Sequence, residues 1–180
     1  MIIRDDRREA AIELMADHLL RTGLAGARLR PLAAAAGTSD RMLLYYFEDR
    51  DALLAAVLER IAVRLTKRLD DALPADARRA PEALLTAVWS GLSSDQMQAF
   101  MHIWLDLAAA ASRGAQPHTR IDGAIADGFL QWVTAHLEPQ SDEPGAAAAL
   151  LSSVEGLLLL KALGRPQIAQ DAFEHMARSL

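Results

Sequence analysis

The chain has 180 residues, enough to bury a complete hydrophobic core, either as one domain or as a small domain fused to a larger one. It contains no cysteine, which excludes disulfides, thiol catalysis and cysteine-based metal sites. No apolar run reaches the roughly 18 residues of a membrane span, and the first six residues, Met1-Ile-Ile-Arg-Asp-Asp, do not resemble a signal peptide. We therefore expect a cytoplasmic protein without a membrane partner.

The net charge of −5 is divided unevenly along the chain. Residues 1–68 contain 12 Lys and Arg against 10 Asp and Glu, whereas residues 69–180 contain 7 against 14. A mildly basic N-terminal part and an acidic remainder fit a nucleic-acid-binding head on a body that avoids nucleic acid. Alanine and leucine dominate the 52 % of hydrophobic residues and β-branched residues are few, which favours helices over strands.

Residues 5–22 are predicted to form the first helix, because apolar side chains recur there at three- and four-residue spacing. The predicted buried stripe consists of Ala11, Leu14, Met15, His18 and Leu19. We interpret His18 as a core histidine rather than a ligand. Gly23 is the predicted end of this helix.

Residues 28–50 are predicted to form two short helices about a tight turn. Pro31 falls in the first turn of the first of these helices, where a missing amide costs little. Gly37 can adopt the left-handed conformation that ends a helix, and Thr38 or Ser39 can cap the next helix, which runs from about Ser39 to Tyr46. Its inward residues are predicted to be Leu43, Leu44 and Phe47, and its outward residues are predicted to be Asp40, Arg41, Met42, Tyr45 and Tyr46. Such a pair of helices is either a helix-turn-helix, whose second helix enters the DNA major groove, or an ordinary helical hairpin.

The same segment resembles a known family of proteins. The runs that carry the resemblance are Leu32-Ala33, Ala36-Gly37-Thr38-Ser39, Tyr45-Tyr46-Phe47 and Arg50-Asp51-x-Leu53. Over residues 8–60 they are similar, without gaps, to the DNA-binding domain of TetR-type transcriptional regulators. The sequence departs from the usual family pattern at Arg28, Met42, Leu44 and Tyr46, where the family often has Thr, Thr, Tyr and His.

The resemblance implies an all-α fold of about nine helices. Residues 1–50 would form a three-helix DNA-binding domain, and a long linker helix over about residues 49–71 would join it to a ligand-binding and dimerisation domain in residues 51–180. It further implies a homodimeric repressor that a small molecule releases from a palindromic operator in double-stranded DNA.

The predicted DNA-binding residues lie on and around the second short helix. Their full set is Arg28, Arg30, Thr38, Ser39, Asp40, Arg41, Met42, Tyr45, Tyr46 and Arg50. The arginines at 28, 30 and 50 and the two tyrosines are expected to contact phosphates, which position the protein without reading sequence. Of the base readers, Arg41 suits guanine N7 and O6, Met42 suits a thymine methyl group, and Asp40 can accept from cytosine N4.

A long fourth helix is expected to begin after the cap Asp49 and to end near Asp71. Its predicted apolar face consists of Leu53, Leu54, Val57, Leu58, Ile61 and Leu65. Because the pattern shows no break, this helix is either a rigid rod that couples the head to the body or a plain connection.

Three further helices are predicted over residues 82–92, from the cap Asp95 to Arg113, and from His118 to Leu137. The predicted apolar face of the middle helix is Met97, Phe100, Met101, Trp104, Leu105 and Ala108, and that of the last is Ile121, Ile125, Phe129, Trp132, Val133 and Leu137. The expected ligand-binding residues are Trp89, Met97, Phe100, Met101, Trp104, Phe129 and Trp132. They can line a cavity for a largely apolar small molecule, or they can be ordinary core.

The polar candidates in this region are His102, Asp106 and His118. His102 and Asp106 are four residues apart on one helix and could bind a cation, or they could be an exposed pair without further function. We predict no metal and no cofactor.

The segment from Ala146 to Leu163 is apolar nearly all the way round, so it must be covered on every side. A second apolar stripe runs from Ile168 to Met176. Two such helices from each of two chains can form a four-helix interface with two-fold symmetry; alternatively, the first is the central helix of a monomer. Leu157 is predicted to lie in the interface.

Two other functions are open to a helical chain of this kind. A helical enzyme needs a clustered nucleophile, a metal set or a paired acid and base, and the sequence shows none of these, so we expect no enzymatic activity. The second alternative is a helical interaction module whose helix-turn-helix no longer binds DNA. Met42 and Leu44, which depart from the usual family pattern, leave this alternative open.

Overall fold

The computed structural model describes residues 2–73, 78–94, 97–138 and 145–179. Within these ranges the chain forms nine α-helices: α1 Ile2–Thr22, α2 Leu29–Ala35, α3 Asp40–Tyr46, α4 Arg50–Ala72, α5 Pro81–Leu92, α6 Gln98–Ser112, α7 His118–His136, α8 Ala146–Ala162 and α9 Pro166–Ser179. A short 3₁₀ turn, Leu24–Gly26, joins α1 to α2, and the described part of the chain contains no β-strand. The predicted all-α fold with about nine helices is therefore confirmed. The predicted cap Asp95 lies outside the described residues.

The chain divides into two compact units that do not follow chain order. Unit 1 consists of Met1–Arg64 and His102–Ile125, and unit 2 consists of Leu65–Met101 and Ala126–Leu180. Residues of α4, α6 and α7 belong to both units. Among the helices that the structure describes, none is both long and apolar enough to cross a membrane.

The buried stripe of α1 is displaced by about one residue from the prediction. Its members are Ala11, Ile12, Met15, Ala16 and Leu19. Leu14 was predicted to be buried and is exposed, and His18 is only half-buried. The reason is that residues at i, i+1, i+4, i+5 and i+8 already cover one face of a helix, which leaves positions 14 and 18 on its flank.

The predicted helix-turn-helix is present in α2 and α3. Gly37 follows α2 with φ of +65°, a conformation that glycine enters without steric cost. Ser39 caps α3, because its Oγ accepts a hydrogen bond from the backbone N–H of Met42 at 3.3 Å. Leu32, Ala33, Leu43 and Phe47 are buried within unit 1.

The cap of α4 also forms as predicted. Asp49 Oδ1 accepts a hydrogen bond from the N–H of Ala52 at 2.7 Å, and the helix continues without interruption to Ala72. The whole predicted apolar face of this helix is buried. A capped helix with one continuous buried stripe is stabilised by packing along its full length.

In unit 2, α5, α8 and α9 pack on one another. The buried face of α8 consists of Leu150, Val154, Leu157 and Leu158. Trp89 of α5 stacks on Phe173 of α9, with 5.7 Å between ring centroids, and its indole N–H donates to Gln170 Oε1 at 3.4 Å. Leu157 was predicted to lie in an interface between chains, but it is buried against its own chain.

The body helices bury somewhat different residues from those predicted. On α6 and just before it, the buried side chains are Met97, Phe100, Ile103 and Leu107, whereas Met101, Trp104, Leu105 and Ala108 are half-buried. On α7 and just after it, Ile121, Trp132, Val133 and Leu137 are buried as predicted, and Ile125 and Phe129 are half-buried. The three- and four-residue spacing fits either of two neighbouring stripes on α6, and only packing selects between them.

Candidate nucleic-acid interface

One face of α3 is directed to solvent. Asp40, Arg41 and Tyr45 are exposed, and so are two apolar side chains, Met42 at 39 % and Leu44 at 43 %. The prediction that Leu44 points inward is wrong. A helix advances by about 100° per residue, so a helix that buries Leu43, together with Phe47 four residues later, turns position 44 away from that stripe.

Aromatic contacts fix the end of α3. The rings of Tyr45 and Tyr46 meet edge to face with 5.8 Å between centroids, and the guanidinium of Arg8 on α1 lies 4.7 Å from the centroid of the Phe47 ring. A guanidinium over an aromatic face is attracted by the ring quadrupole. This contact joins the beginning of α1 to the residue that ends α3.

Six arginines on and around the helix-turn-helix and on α4 fall into two groups. Arg28, Arg30, Arg41 and Arg50 lie on or beside the helix-turn-helix and are exposed. None of these four forms an ion pair with another described residue. A cation without a protein partner is available to neutralise a phosphate, so the predicted phosphate-contacting arginines remain suited to that role.

The second group is neutralised within the unit. Arg60 and Arg64 of α4 pair with three acids spaced four residues apart on α1, namely Glu9, Glu13 and Asp17. Hydrogen bonds from Arg64 and Arg60 lower the pKa of Glu13 against the opposing effect of burial, and hydrogen bonds to Glu9 and Glu13 raise the pKa of Arg60. This charge ladder joins α1 to α4, and it gives the guanidinium groups of Arg60 and Arg64 acidic partners within the unit.

One of the remaining predicted DNA contacts, Ser39, has a local structural role. Ser39 is exposed, but its hydroxyl oxygen serves as the cap of α3, and Thr38 is half-buried. Both backbones lie at the start of α3, where a helix N-terminus favours an anion. Tyr46 is half-buried and Tyr45 is exposed.

The residues predicted to bind a ligand occupy several environments. Trp104 belongs to unit 1 and the other six belong to unit 2. Met97 lines a cleft of about 420 Å³ together with Arg68, Asp71, Ser90 and Ser94. The guanidinium of Arg68 lies over the ring of Phe100, 5.2 Å from the ring centroid. Trp89 stacks on Phe173 of α9. Met101 and Phe129 are half-buried.

Trp132 is part of a polar network near the end of α7. Its indole N–H donates to Asp70 Oδ1 at 2.6 Å, and its ring stacks on His136 with 4.0 Å between centroids. His136 Nδ1 lies 2.8 Å from the carbonyl oxygen of Trp132, and its Nε2 is buried 3.9 Å from Asp70 Oδ1. The network joins the last turns of α4 and α7 within unit 2.

Of the predicted polar pair His102 and Asp106 on α6, Asp106 makes a structural hydrogen bond. Asp106 Oδ2 accepts a hydrogen bond from the backbone N–H of Leu24 at 3.1 Å. Elsewhere in unit 1, His118 has a buried Nδ1 without a hydrogen-bond partner among the described residues, and burial raises the pKa of Asp122. The described ranges contain no group of three or more His, Cys, Asp or Glu side chains that could hold a metal ion.

Two features of the site were missed by sequence reasoning. The exposure of Leu44 could have been found by placing position 44 on the helix relative to Leu43 and Phe47. The bond between Asp106 and Leu24 joins residues that are 82 apart in the chain, and no local pattern indicates it.

Comparison with known proteins agrees with this architecture. No family model matches the sequence. The chain is 29 % identical over 171 residues to the HTH-type transcriptional regulator BetI of Cronobacter sakazakii (strain ATCC BAA-894), covering 89 % of this chain and 82 % of that one. A second BetI, from Serratia proteamaculans (strain 568), is 26 % identical over 161 residues, covering 87 % and 81 % of the two chains.

Solved structures show the same fold. A crystal structure assigned to the TetR family, from Rhodococcus sp., superposes with a TM-score of 0.75 at 22 % identity, covering 97 % of this chain and 96 % of that one. The fold is that of a helix-turn-helix transcriptional regulator. More narrowly, it is the fold seen in this TetR-family crystal structure. The resemblance seen in residues 8–60 is thereby confirmed.

Proposed function

We propose that the chain is a homodimeric repressor that binds a palindromic double-stranded DNA operator through α3 and is released by a small molecule. Residues 1–50 serve as the DNA-binding domain and residues 51–180 as the ligand-binding and dimerisation domain. Its place is the cytoplasm, and its role is regulatory rather than catalytic. The BetI relatives, which are transcriptional regulators by name, support this role.

One observation carries the proposal. The four exposed arginines on and beside the helix-turn-helix have no acidic partner among the described residues, whereas the two arginines of α4 are neutralised by α1. Because these cations are exposed and lack an acidic partner, they are available to attract an anion even though the chain as a whole has a net charge of −5. Duplex DNA is the anion that fits a helix-turn-helix, since α3 is exposed along the face that a major groove would receive.

Arg41 and Met42 are proposed to read bases, and Asp40 to accept from a cytosine amino group. The phosphate contacts are assigned to Arg28, Arg30, Tyr45, Tyr46 and Arg50. The backbones of Thr38 and Ser39 are proposed to approach a phosphate at the start of α3.

The test is selection of binding sites from a random duplex pool, followed by titrations at several salt concentrations. Arg50→Ala should weaken binding to all duplexes alike and reduce the slope of log K against log salt by about one unit. Arg41→Ala should cost about 1–3 kcal/mol on the best site and relax the preference at one base pair. Arg178→Ala, which removes one exposed charge from α9, is the matched control and should change neither property.

If the wild-type chain selects no sequence and binds no duplex, the DNA-binding proposal fails. The chain is then a helical interaction module with a head that does not bind DNA. Unchanged preference in Arg41→Ala would instead show only that the base reader has been assigned wrongly.

The ligand part of the proposal concerns a largely apolar effector in the body. EbrR, a multidrug binding protein whose structure contains proflavin, superposes with a TM-score of 0.70 at 23 % identity, covering 97 % of this chain and 99 % of that one. The proposed contacts in this chain are the predicted residues that lie in unit 2, namely Trp89, Met97, Phe100, Met101, Phe129 and Trp132. Proflavin, a planar aromatic molecule, is therefore a suitable first probe.

Proflavin should be titrated into the chain with and without saturating operator, and into the operator alone. Proflavin is a planar cation that intercalates into duplex DNA, so the DNA-bound fraction must be subtracted before the protein affinities are compared. Release requires that the ligand and DNA oppose each other by about 1–3 kcal/mol, and the coupling must be equal in both directions. Met97→Ala, which changes the wall of the cleft in unit 2, should reduce the response to proflavin and leave operator affinity nearly unchanged. Equal proflavin affinity in the presence and absence of operator would rule out the coupling.

A further inference from the structure

We propose that Leu44 reads the 5-methyl group of a thymine in the operator. The proposal rests on the DNA-binding role proposed above and adds a specificity-determining residue to it. It replaces the sequence-based prediction that Leu44 packs inward, and it makes thymine the required base at a defined position of the binding site.

The first observation is the exposure of Leu44 on a helix that has a buried side available. Leu43, its neighbour, is fully buried, and Phe47 is 4 % exposed. The short α3 therefore has an inward stripe, and Leu44 stands outside it with 43 % of its surface open. The exposed part of the leucine surface gains free energy only when something apolar covers it.

The second observation is what surrounds Leu44 on the helix. It lies three residues after Arg41 and four after Asp40, so these three side chains are neighbours on one face. Tyr45 lies next to Arg41 in the same way, and Met42 stands on the opposite edge. The two apolar side chains are therefore separated by charged and aromatic ones. A protein partner would be expected to meet a contiguous apolar patch, which this face does not offer.

The third step is the chemistry of the major groove. Among the four base pairs, only those with thymine present an apolar group there, the 5-methyl. Leucine can neither donate nor accept a hydrogen bond, so opposite any other base edge it would cover polar groups without satisfying them. Opposite a thymine methyl, it buries apolar surface on both sides. Leu44 thus favours thymine in two ways: it buries the 5-methyl group, and it disfavours other bases by leaving their polar groups without hydrogen bonds.

The position of that thymine follows from Arg41. If Arg41 binds a guanine, Leu44, its neighbour one turn further along α3, meets a base next to or within two positions of that guanine. Met42 is directed to the other edge of the helix and meets a different base. The operator half-site should therefore contain two thymines that contribute independently, one for each apolar side chain.

The experiment replaces single thymines in the selected site by uracil, which lacks only the 5-methyl group. When the thymine near the guanine is replaced by uracil, the wild-type chain should bind the duplex about fourfold more weakly. This is the factor expected for one buried methyl group. Leu44→Ala should bind thymine and uracil equally at that position. Met42→Ala should retain the fourfold ratio of thymine to uracil affinity at the position near the guanine. It should lose that ratio at the second thymine. Arg50→Ala should weaken binding to both duplexes and leave each ratio unchanged.

Leu44→Ala removes an exposed side chain, so its helix content by circular dichroism should match that of the wild type. Absence of DNA binding by the wild-type chain would overturn the proposed function as a whole. Binding that is equally strong with thymine and uracil at every position would overturn the reading by Leu44 and leave DNA binding intact. A fourfold ratio that persists in Leu44→Ala would assign the methyl contact to another residue.

Discussion

Asp106 accepts a hydrogen bond from the backbone N–H of Leu24, with 3.1 Å between Oδ2 and the amide nitrogen. Leu24 begins the 3₁₀ turn that joins α1 to α2, directly after Gly23, whose φ is +68°. A Cβ at Gly23 would lie 3.0 Å from the same carboxylate oxygen. A side chain of α6 is therefore attached to the connection that leads into the helix-turn-helix.

The first prediction concerns this attachment. Asp106→Ala should lower the free energy of unfolding by about 1 kcal/mol, because a charge-assisted hydrogen bond is lost at a site where water can replace it. Gly23→Ala should cost about 1–3 kcal/mol, since φ of +68° with ψ of −174° is a combination that almost only glycine adopts, and the added Cβ would press on Asp106. Urea unfolding followed by circular dichroism measures both, with Asp127→Ala on the exposed side of α7 as the control. Equal stability of Gly23→Ala and the wild type would contradict the geometry.

The second prediction concerns pH and the charge ladder between α1 and α4. Hydrogen bonds from Arg64 and Arg60 lower the folded-state pKa of Glu13 below its ordinary value of 4.5. A lowered carboxylate pKa stabilises the fold above that ordinary value, and the stabilisation is lost as the pH falls through the folded-state pKa. The wild type should therefore lose more stability than Glu13→Gln between about pH 5 and pH 3.

Because Glu13 is partly exposed, the difference should be below about 1 kcal/mol and should shrink in 1 M salt. Urea midpoints at several pH values provide the measurement. Glu59→Gln, which removes an exposed acid of α4, is the matched control. Identical acid sensitivity of Glu13→Gln and the wild type would mean that the ladder does not stabilise the unit.

Local chemistry made much of the fold predictable. Asp49 and Ser39 both cap the helices that they were expected to cap, and Gly37 adopts the left-handed conformation expected of it. Such features depend on a few neighbouring residues and need no knowledge of the tertiary structure. The apolar face of α4 was also predictable, because six large aliphatic side chains repeat there without competition from a second stripe.

The remainder depended on packing. On α1 and α6, alanines and leucines occupy neighbouring stripes, so that Leu14 and Trp104 were expected on the buried face, while Ile12 and Ile103 fill it. The charge ladder and the contact of Asp106 with Leu24 join residues that are 47 or more apart in the chain. Periodicity gives the faces of each helix but cannot say which helix covers which face.

The third prediction concerns the bond between Trp132 and Asp70. Trp132→Phe removes the donor of a 2.6 Å hydrogen bond, and Asp70→Ala removes its acceptor. Each change should cost about 1 kcal/mol, which allows for the partial exposure of Asp70. The double variant should cost less than the sum of the two, because both remove the same interaction. Additive losses in urea unfolding would show that the bond contributes nothing to stability.

The last prediction concerns the proposed dimer, and the structure changes the residue that tests it. Ser152, Gly156, Leu159 and Leu163 recur at the spacing of one helical stripe, and all four are exposed. Leu159 is 41 % exposed, Leu163 is 65 % exposed, and Ile168 of α9 is 53 % exposed. A Cβ at Gly156 would meet nothing within 4 Å, so the small residues leave room for another helix. This stripe is the face proposed to meet a second copy of the chain.

Leu159→Arg should therefore give folded monomers in sedimentation, because two-fold symmetry would bury the unpaired charge twice. Operator binding should fall as well, since a single head reads only a few base pairs and a palindrome needs two heads. Gln131→Arg, which adds the same charge to an exposed position of α7, should remain dimeric and bind normally. Leu157→Arg should instead unfold the chain, because Leu157 is 2 % exposed within its own protomer. If Leu159→Arg retains its helix content and still sediments as a dimer, the two chains meet through another face. That other interface would then hold the two α3 helices in position on the palindrome.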